Sequence, residues 1–295
     1  MADSLPILDL DSPGRGSPDP ACAREKLRLL HSILRPLVAE GALVAFSGGL
    51  DSAFLLWAAR ELTSEDGGEG RVAALTTTSP STPRRDREDA TSFVTSLGVP
   101  HRLRESRELS LPEYARNDRE RCYHCKTELF RIAEEVAEEE GLAWLLYGFN
   151  ASDRHDDRPG HRAALEAGAR SPLADAGLTK AEIRLLMEEE GLFLATKPAS
   201  PCLSSRIMTG VEVTPKRLAH VEALEEILRE AGVRTVRVRI CRTEDDALFL
   251  RVEVAPDEMP GVLECREALQ EAGLARGYRW VTLDLGGYRT GGGVS

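Results

Sequence analysis

From Leu43 to Trp57 the chain reads LVAFSGGLDSAFLLW. A buried apolar run meets a glycine turn, and Ser47, Gly48, Gly49, Asp51 and Ser52 fall between that run and a second apolar stretch of helical character. Glycines let backbone amides close on an anion, and the N-terminus of the following helix adds partial positive charge. A pyrophosphate suits such a turn, with Asp51 available to hold Mg²⁺ beside the departing oxygens. No lysine follows the glycines, so the G-x-x-x-x-G-K-[ST] pattern is absent and kinase-type γ-phosphoryl transfer is disfavoured. The plain alternative is a tight strand-to-helix connection with no ligand. Cysteine is the second source of chemistry: of six thiols, Cys122 and Cys125 form a C-x-x-C pair. Such a pair serves iron–sulfur clusters, zinc or structure alike. His124 reads as a spacer inside it, and Cys22, Cys241 and Cys265 stand in no motif.

The elements that must position these residues alternate. Ala23–Glu40 has leucines at helical spacing, with Pro36 predicting a bend or an early stop. Ala42–Phe46 and Val72–Thr76 read as buried strands. Ala53–Leu62 and Arg84–Leu97 read as helices, the second stopped by Gly98. Cys122–Glu140 is expected to be helical, Trp144–Tyr147 a strand, and GFNASDRHDDRPG a polar loop. The fold class expected is α/β, a doubly wound parallel sheet whose ligands bind at the carboxyl ends of its strands. After Pro198 the pattern changes to a helix around Leu218–Leu228, strands at Val233–Ile240 and Ala247–Ala255, a further helix and a strand at Trp280–Leu285. The expected division is a tail over 1–22, a nucleotide domain over 23–205 with a flexible GGEG segment before its second strand, and a smaller α/β domain over 210–295.

SGGLDS resembles the PP-loop of ATP pyrophosphatases such as GMP synthetase, NAD synthetase and tRNA thiolases. The resemblance implies attack at the α-phosphate of ATP and release of pyrophosphate. Further strings narrow it: TSPSTPRRD (78–86), RCYHCK (121–126), YGFNASD (147–153), DRPG (157–160), RSPLADAGLTKAEIR (170–184), KPASPCLSSRI (197–207), VRVR (236–239) and DLGGYR (284–289). Together they resemble the LarE sulfur transferases, which help build the nickel-pincer nucleotide cofactor. The resemblance implies adenylation of a carboxylate on a pyridinium mononucleotide, followed by replacement of AMP by sulfur to give a thiocarboxylate. It implies an ATP site at Ser47, Gly48, Gly49, Asp51, Ser52, Thr76, Ser79, Gly148, Asn150 and Asp153. Cys202 matches the sulfur-bearing cysteine, with Asp51 as its catalytic companion. With Cys122 and Cys125 it is expected to hold a [4Fe–4S] cluster, the alternative being that it gives up its own sulfur and becomes dehydroalanine. Loop capping is the simpler role for Asn150 and Asp153, and Arg84 and Arg85 fit a phosphate contact or a solvated helix start equally well.

Strand period puts Arg237 and Arg239 on one face of their strand, apart from Val236, Val238 and Ile240. With Glu253, and with Glu225 and Arg289 in support, these arginines are the expected substrate-binding set, guanidinium forks being suited to phosphate. The alternative is a solvated face with cross-strand Arg–Glu pairs. The net charge of −11 disfavours bulk nucleic-acid binding, and with it a tRNA thiolase. An amide-forming synthetase would need neither Cys202 nor the C-x-x-C pair, and a non-catalytic nucleotide-binding regulator would bind ATP without forming AMP. The N-terminal residues carry no export signal and no stretch spans a membrane, so a cytoplasmic enzyme is expected, as a homo-oligomer with a sulfur donor for partner.

Overall fold

The computed structural model describes residues 18–65, 70–155, 159–198 and 200–289. Most of the expected tail, most of GGEG and the start of DRPG lie outside them. Helix α1 spans Pro20–Glu40, and the Asp19 side chain accepts from Ala21 N at 3.0 Å with proline at the first turn. The expected tail therefore extends too far. Asp-Pro is a helix-start signal, because the carboxylate caps a free amide and proline needs no partner there. Pro36 does not end the helix, which runs on to Glu40.

Strand β1 (Ala42–Ala45) is followed by α2 (Leu50–Glu65), β2 (Val72–Thr78), α3 (Arg84–Leu97) and β3 (His101–Glu105). Then come α4 (Pro112–Ala115), α5 (Arg121–Glu140) and β4 (Trp144–Tyr147), and three helices, α6 (Pro159–Glu166), α7 (Pro172–Asp175) and α8 (Lys180–Glu189). The four strands form a parallel sheet in the order β3-β2-β1-β4, with Ala42 opposite both Val72 and Trp144. Side chains of β1 alternate between the two faces. Ala42 and Val44 pack with α1, α2, α3 and α8, while Leu43 packs with Ile132, Ala133 and Val136 of α5. β3 escapes a periodicity reading because an edge strand can carry charge, and HRLRE does.

A second, three-stranded sheet holds β5 (Val236–Arg242), β6 (Leu248–Val254) and β7 (Val281–Leu283). Its first two strands are antiparallel, and β6 and β7 are parallel. Helices α9 (Pro215–Glu230), α10 (Met259–Glu264) and α11 (Arg266–Ala275) cover it, with Leu218, Val221, Leu224 and Leu228 of α9 buried against the valines of β5 and β6. Tyr114 of α4 is part of this second core. Among the described residues no helix is long and apolar enough to cross a membrane.

Because the chain passes from β1 to β2 and β3 on one side and returns as β4 on the other, the strand order reverses beside β1. At such a switch point the carboxyl ends of neighbouring strands diverge and leave a crevice. The glycine turn after β1 and the GFN segment after β4 both open into it.

Candidate functional site

The glycine turn is folded onto the start of α2. Ser47 N donates to Ser52 Oγ at 3.2 Å, the two serine hydroxyls lie 3.1 Å apart, and Ser52 Oγ donates to Gly49 O at 3.1 Å. Gly48 has φ of 73°, which glycine adopts without the clash a Cβ would bring, and an added Cβ would stand 3.2 Å from Ala90 Cβ on α3. Gly148 is constrained still more tightly, since a Cβ there would lie 2.6 Å from Ser52 N and 2.9 Å from the Asp51 carbonyl carbon. Strand β4 thus meets the start of α2 across bare backbone. That approach lets buried Asn150 donate from Nδ2 to Asp51 Oδ1 at 3.1 Å, while its own Oδ1 accepts from Ser152 N. Asn150 therefore caps its loop and braces Asp51 at once. Asn150 N also donates to Asp153 Oδ2 at 3.4 Å, which brings Asp153 into the same corner.

One cavity of about 500 Å³ is lined by Ser47, Gly49, Asp51, Ser52 and Gly148 together with Cys122, Cys125 and Cys202. All three thiols are free, with Cys122 and Cys202 exposed. Burial pushes the Cys125 thiol up to about 12, against the lowering influence of Lys126. In donor type and in sharing one cavity the three thiols fit a thiolate-ligated cluster. Among the described residues, however, no three His, Cys, Asp or Glu side chains are already gathered as metal ligands. The same cavity is lined by Tyr147, Phe149 and His161, whose imidazole stacks on Phe149 at 4.0 Å between ring centroids and meets the Tyr147 hydroxyl at 2.6 Å.

Thr76 and Ser79 line a smaller cavity next to the first, with Cys125, Lys126 and Cys202 in common. Thr76 Oγ1 donates to Phe46 O at 2.9 Å and meets His101 Nε2, and Ser79 Oγ meets Ser81 Oγ, which donates to Glu108. These hydroxyls tie strand ends together. A third opening, beyond the glycine turn, is lined by Lys180, Arg184 and Lys197, with the Lys197 ammonium 2.8 Å from both Asp86 and Asp89. Local pattern does not show this cation cluster in an acidic chain, although all three residues lie in strings quoted above.

The expected substrate-binding set is only partly assembled. β5 is buried on both faces up to Cys241, so the arginine face is not solvated. Arg239 Nε donates to Glu253 Oε1 at 2.6 Å and Nη1 donates to Ser205 O at 2.9 Å, and Arg251 shares the same Glu253 oxygen. Glu225, fully buried, accepts from Arg206, Arg229 and Val238 N. Arg239 and Glu253 therefore hold each other, Arg239 and Glu225 hold the segment after Cys202 through Ser205 O and Arg206, and Arg289 is exposed. Arg237 lines a groove of about 460 Å³ shared with Arg84, Arg85, Lys197, Arg229 and Arg234. Its guanidinium lies 5.1 Å from the Tyr288 ring, and burial, then Arg206, lowers its pKa. Strand period separated the faces correctly; what it could not reveal was the 201–206 segment lying over one of them.

No family model matches the chain. A protein of Synechocystis sp. described as uncharacterised is 35% identical over 260 residues, covering 85% of this chain and 91% of the relative. The pyridinium-3,5-bisthiocarboxylic acid mononucleotide synthase of Lactiplantibacillus plantarum is 34% identical over 248 residues, covering 84% of this chain and 87% of that one. A Methanocaldococcus jannaschii protein, also described as uncharacterised, is 29% identical over 182 residues, 62% of this chain and 69% of its own. With a named relative matched along nearly its whole length, and with the glycine turn and Cys202 facing one cavity, the chain belongs to the LarE family.

Proposed function

We propose that the protein adenylates a carboxylate of pyridinium-3,5-biscarboxylic acid mononucleotide and exchanges the adenylate for sulfur, as a step toward a nickel-pincer nucleotide cofactor. The carrying observation is the single cavity lined by both the glycine turn and the three thiols. In this reading the turn amides hold the pyrophosphate of ATP, Asp51 would hold a Mg²⁺ that offsets charge on the departing oxygens, and Asn150 keeps the Asp51 carboxylate aimed. The substrate carboxylate attacks the α-phosphorus and pyrophosphate leaves. Sulfur then attacks the acyl carbon, the bond to the AMP oxygen breaks, and thiocarboxylate and AMP are the products. Lys180, Arg184 and Lys197 are placed to offset the triphosphate charge at the turn.

Cys122, Cys125 and Cys202 would hold a [4Fe–4S] cluster, which when bound supplies a sulfide for transfer that an external donor renews. The presence of all three thiols in one cavity favours this source over the sacrificial use of Cys202. The test is incubation of anaerobically purified protein with ATP, Mg²⁺ and the biscarboxylate. AMP and pyrophosphate should form in equal amounts, dependent on the mononucleotide and accompanied by thiocarboxylate. Failure to form AMP with the substrate present would overturn the proposal.

A further inference from the structure

Arg121 occupies the first position of α5, immediately before the C-x-x-C pair, and lines the cavity together with Cys122, Cys125 and Cys202. Its Nη1 is held from behind, donating to Asn117 Oδ1 at 2.5 Å and to Ser204 O at 2.9 Å. Asn117 is in turn fixed on every side. It is 1% exposed, its φ is 58°, and its Nδ2 donates to Ile207 O at 3.2 Å, Met208 O at 2.9 Å and Val211 O at 2.8 Å. Its backbone carbonyl accepts from Gly210 N at 3.0 Å. Beside this knot the Tyr114 hydroxyl lies 2.6 Å from Ser204 Oγ.

The turn before α5 is thus hydrogen-bonded repeatedly to the segment that follows Cys202. Two thiols come from α5 and the third from that segment, so their juxtaposition depends on a joint between two distant stretches of chain. A planar guanidinium can hold two acceptors at fixed angles and still present N–H groups elsewhere, which a lysine cannot.

Resting on the sulfur-transfer reading, we propose that Arg121, anchored by Asn117, is the positioning residue of the sulfur step, holding the Cys202 segment against the C-x-x-C turn. Without it the acyl-adenylate forms but meets sulfur less often, and water takes the acyl group instead. Arg121→Gln should therefore lower the ratio of thiocarboxylate to AMP roughly 10- to 100-fold, the range typical of residues that orient reactive ligands. Arg121→Lys should recover part of that ratio. Asn117→Gly keeps the left-handed backbone and removes the anchor, and it should lower the ratio without adding to Arg121→Gln, since the two act as one unit.

A second readout is independent of turnover. Mild diamide oxidation of the metal-free chain, followed by peptide mapping, should link Cys202 to Cys122 or Cys125, and the yield should fall in both variants. If wild-type protein formed no AMP, the functional reading would fail, while the cross-link would still decide the joint. An unchanged product ratio and cross-link yield in Arg121→Gln would overturn the proposal. So would a parallel loss of AMP formation, thiocarboxylate and melting temperature, which marks a purely structural role.

Discussion

Asp51 and Asn150 stand ninety-nine positions apart in the chain and 3.1 Å apart in space. A hydrogen bond to a charged group contributes about 1.5–3 kcal/mol, so Asn150→Ala should slow AMP formation by roughly one to two orders of magnitude with little change in fold. Asp51→Ala should abolish it, as followed by release of AMP from ATP in the presence of the mononucleotide. At the sulfur side, each of Cys122→Ala, Cys125→Ala and Cys202→Ala should lower both bound iron and repeated turnover. The sacrificial mechanism predicts a different pattern: only Cys202→Ala is inactive, and wild-type protein after turnover is lighter by one H₂S, a change that mass spectrometry resolves.

Helix α8 carries Lys180 and Arg184 to the mouth of the glycine turn, and its start is held by a capping box. Thr179 accepts from Glu182 N while Glu182 accepts from Thr179 N, and Lys26 of α1 donates to both Glu182 oxygens at 2.7 and 2.8 Å. Thr179→Ala should cost about 1 kcal/mol of stability, measured by denaturant unfolding. Burial of Glu182 would raise its pKa, but the bonds from Lys26 and Thr179 outweigh burial and lower it. A carboxyl with a depressed folded pKa contributes stability above its unfolded value, near 4.5, and loses it as pH falls through the folded value. Unfolding midpoints measured downward from pH 5 should therefore drop less steeply in Glu182→Gln than in the parent.

The segment after Cys202 is tied to α9 through charges that water does not reach. Arg206 and Glu225 are 1% and 0% exposed at the side chain, and Arg206 Nη1 also donates to the carbonyls of Pro201 and Cys202. Removing one partner of a buried pair leaves the other uncompensated, so Arg206→Ala should destabilise by about 3–5 kcal/mol, tempered by the bond from Arg229 to Glu225 at 2.6 Å. Thermal unfolding checks the loss. Because Arg206 holds the Cys202 carbonyl, thiocarboxylate formation in the surviving folded fraction should fall as well.

What the amino-acid sequence determined by itself is local. The strand–turn–helix around Ser47–Ser52, the helix Arg84–Leu97 and the strand Trp144–Tyr147 could be read directly, because glycine chemistry and hydrophobic period act over a few residues. The alternation of these elements also carried the parallel sheet and its carboxyl-end crevice. Tertiary structure alone decided what faces what. Nothing in local pattern brings Cys202 and Asp51 to one cavity, or turns Asn117 toward the carbonyls after Cys202. Period 2 set Arg237 and Arg239 on a common face, but only the chain folded over that face shows Arg239 occupied by Glu253 and Ser205 while Arg237 remains at a groove. Side-chain direction follows from backbone geometry within one element, whereas the partner it meets depends on packing between elements far apart in the chain.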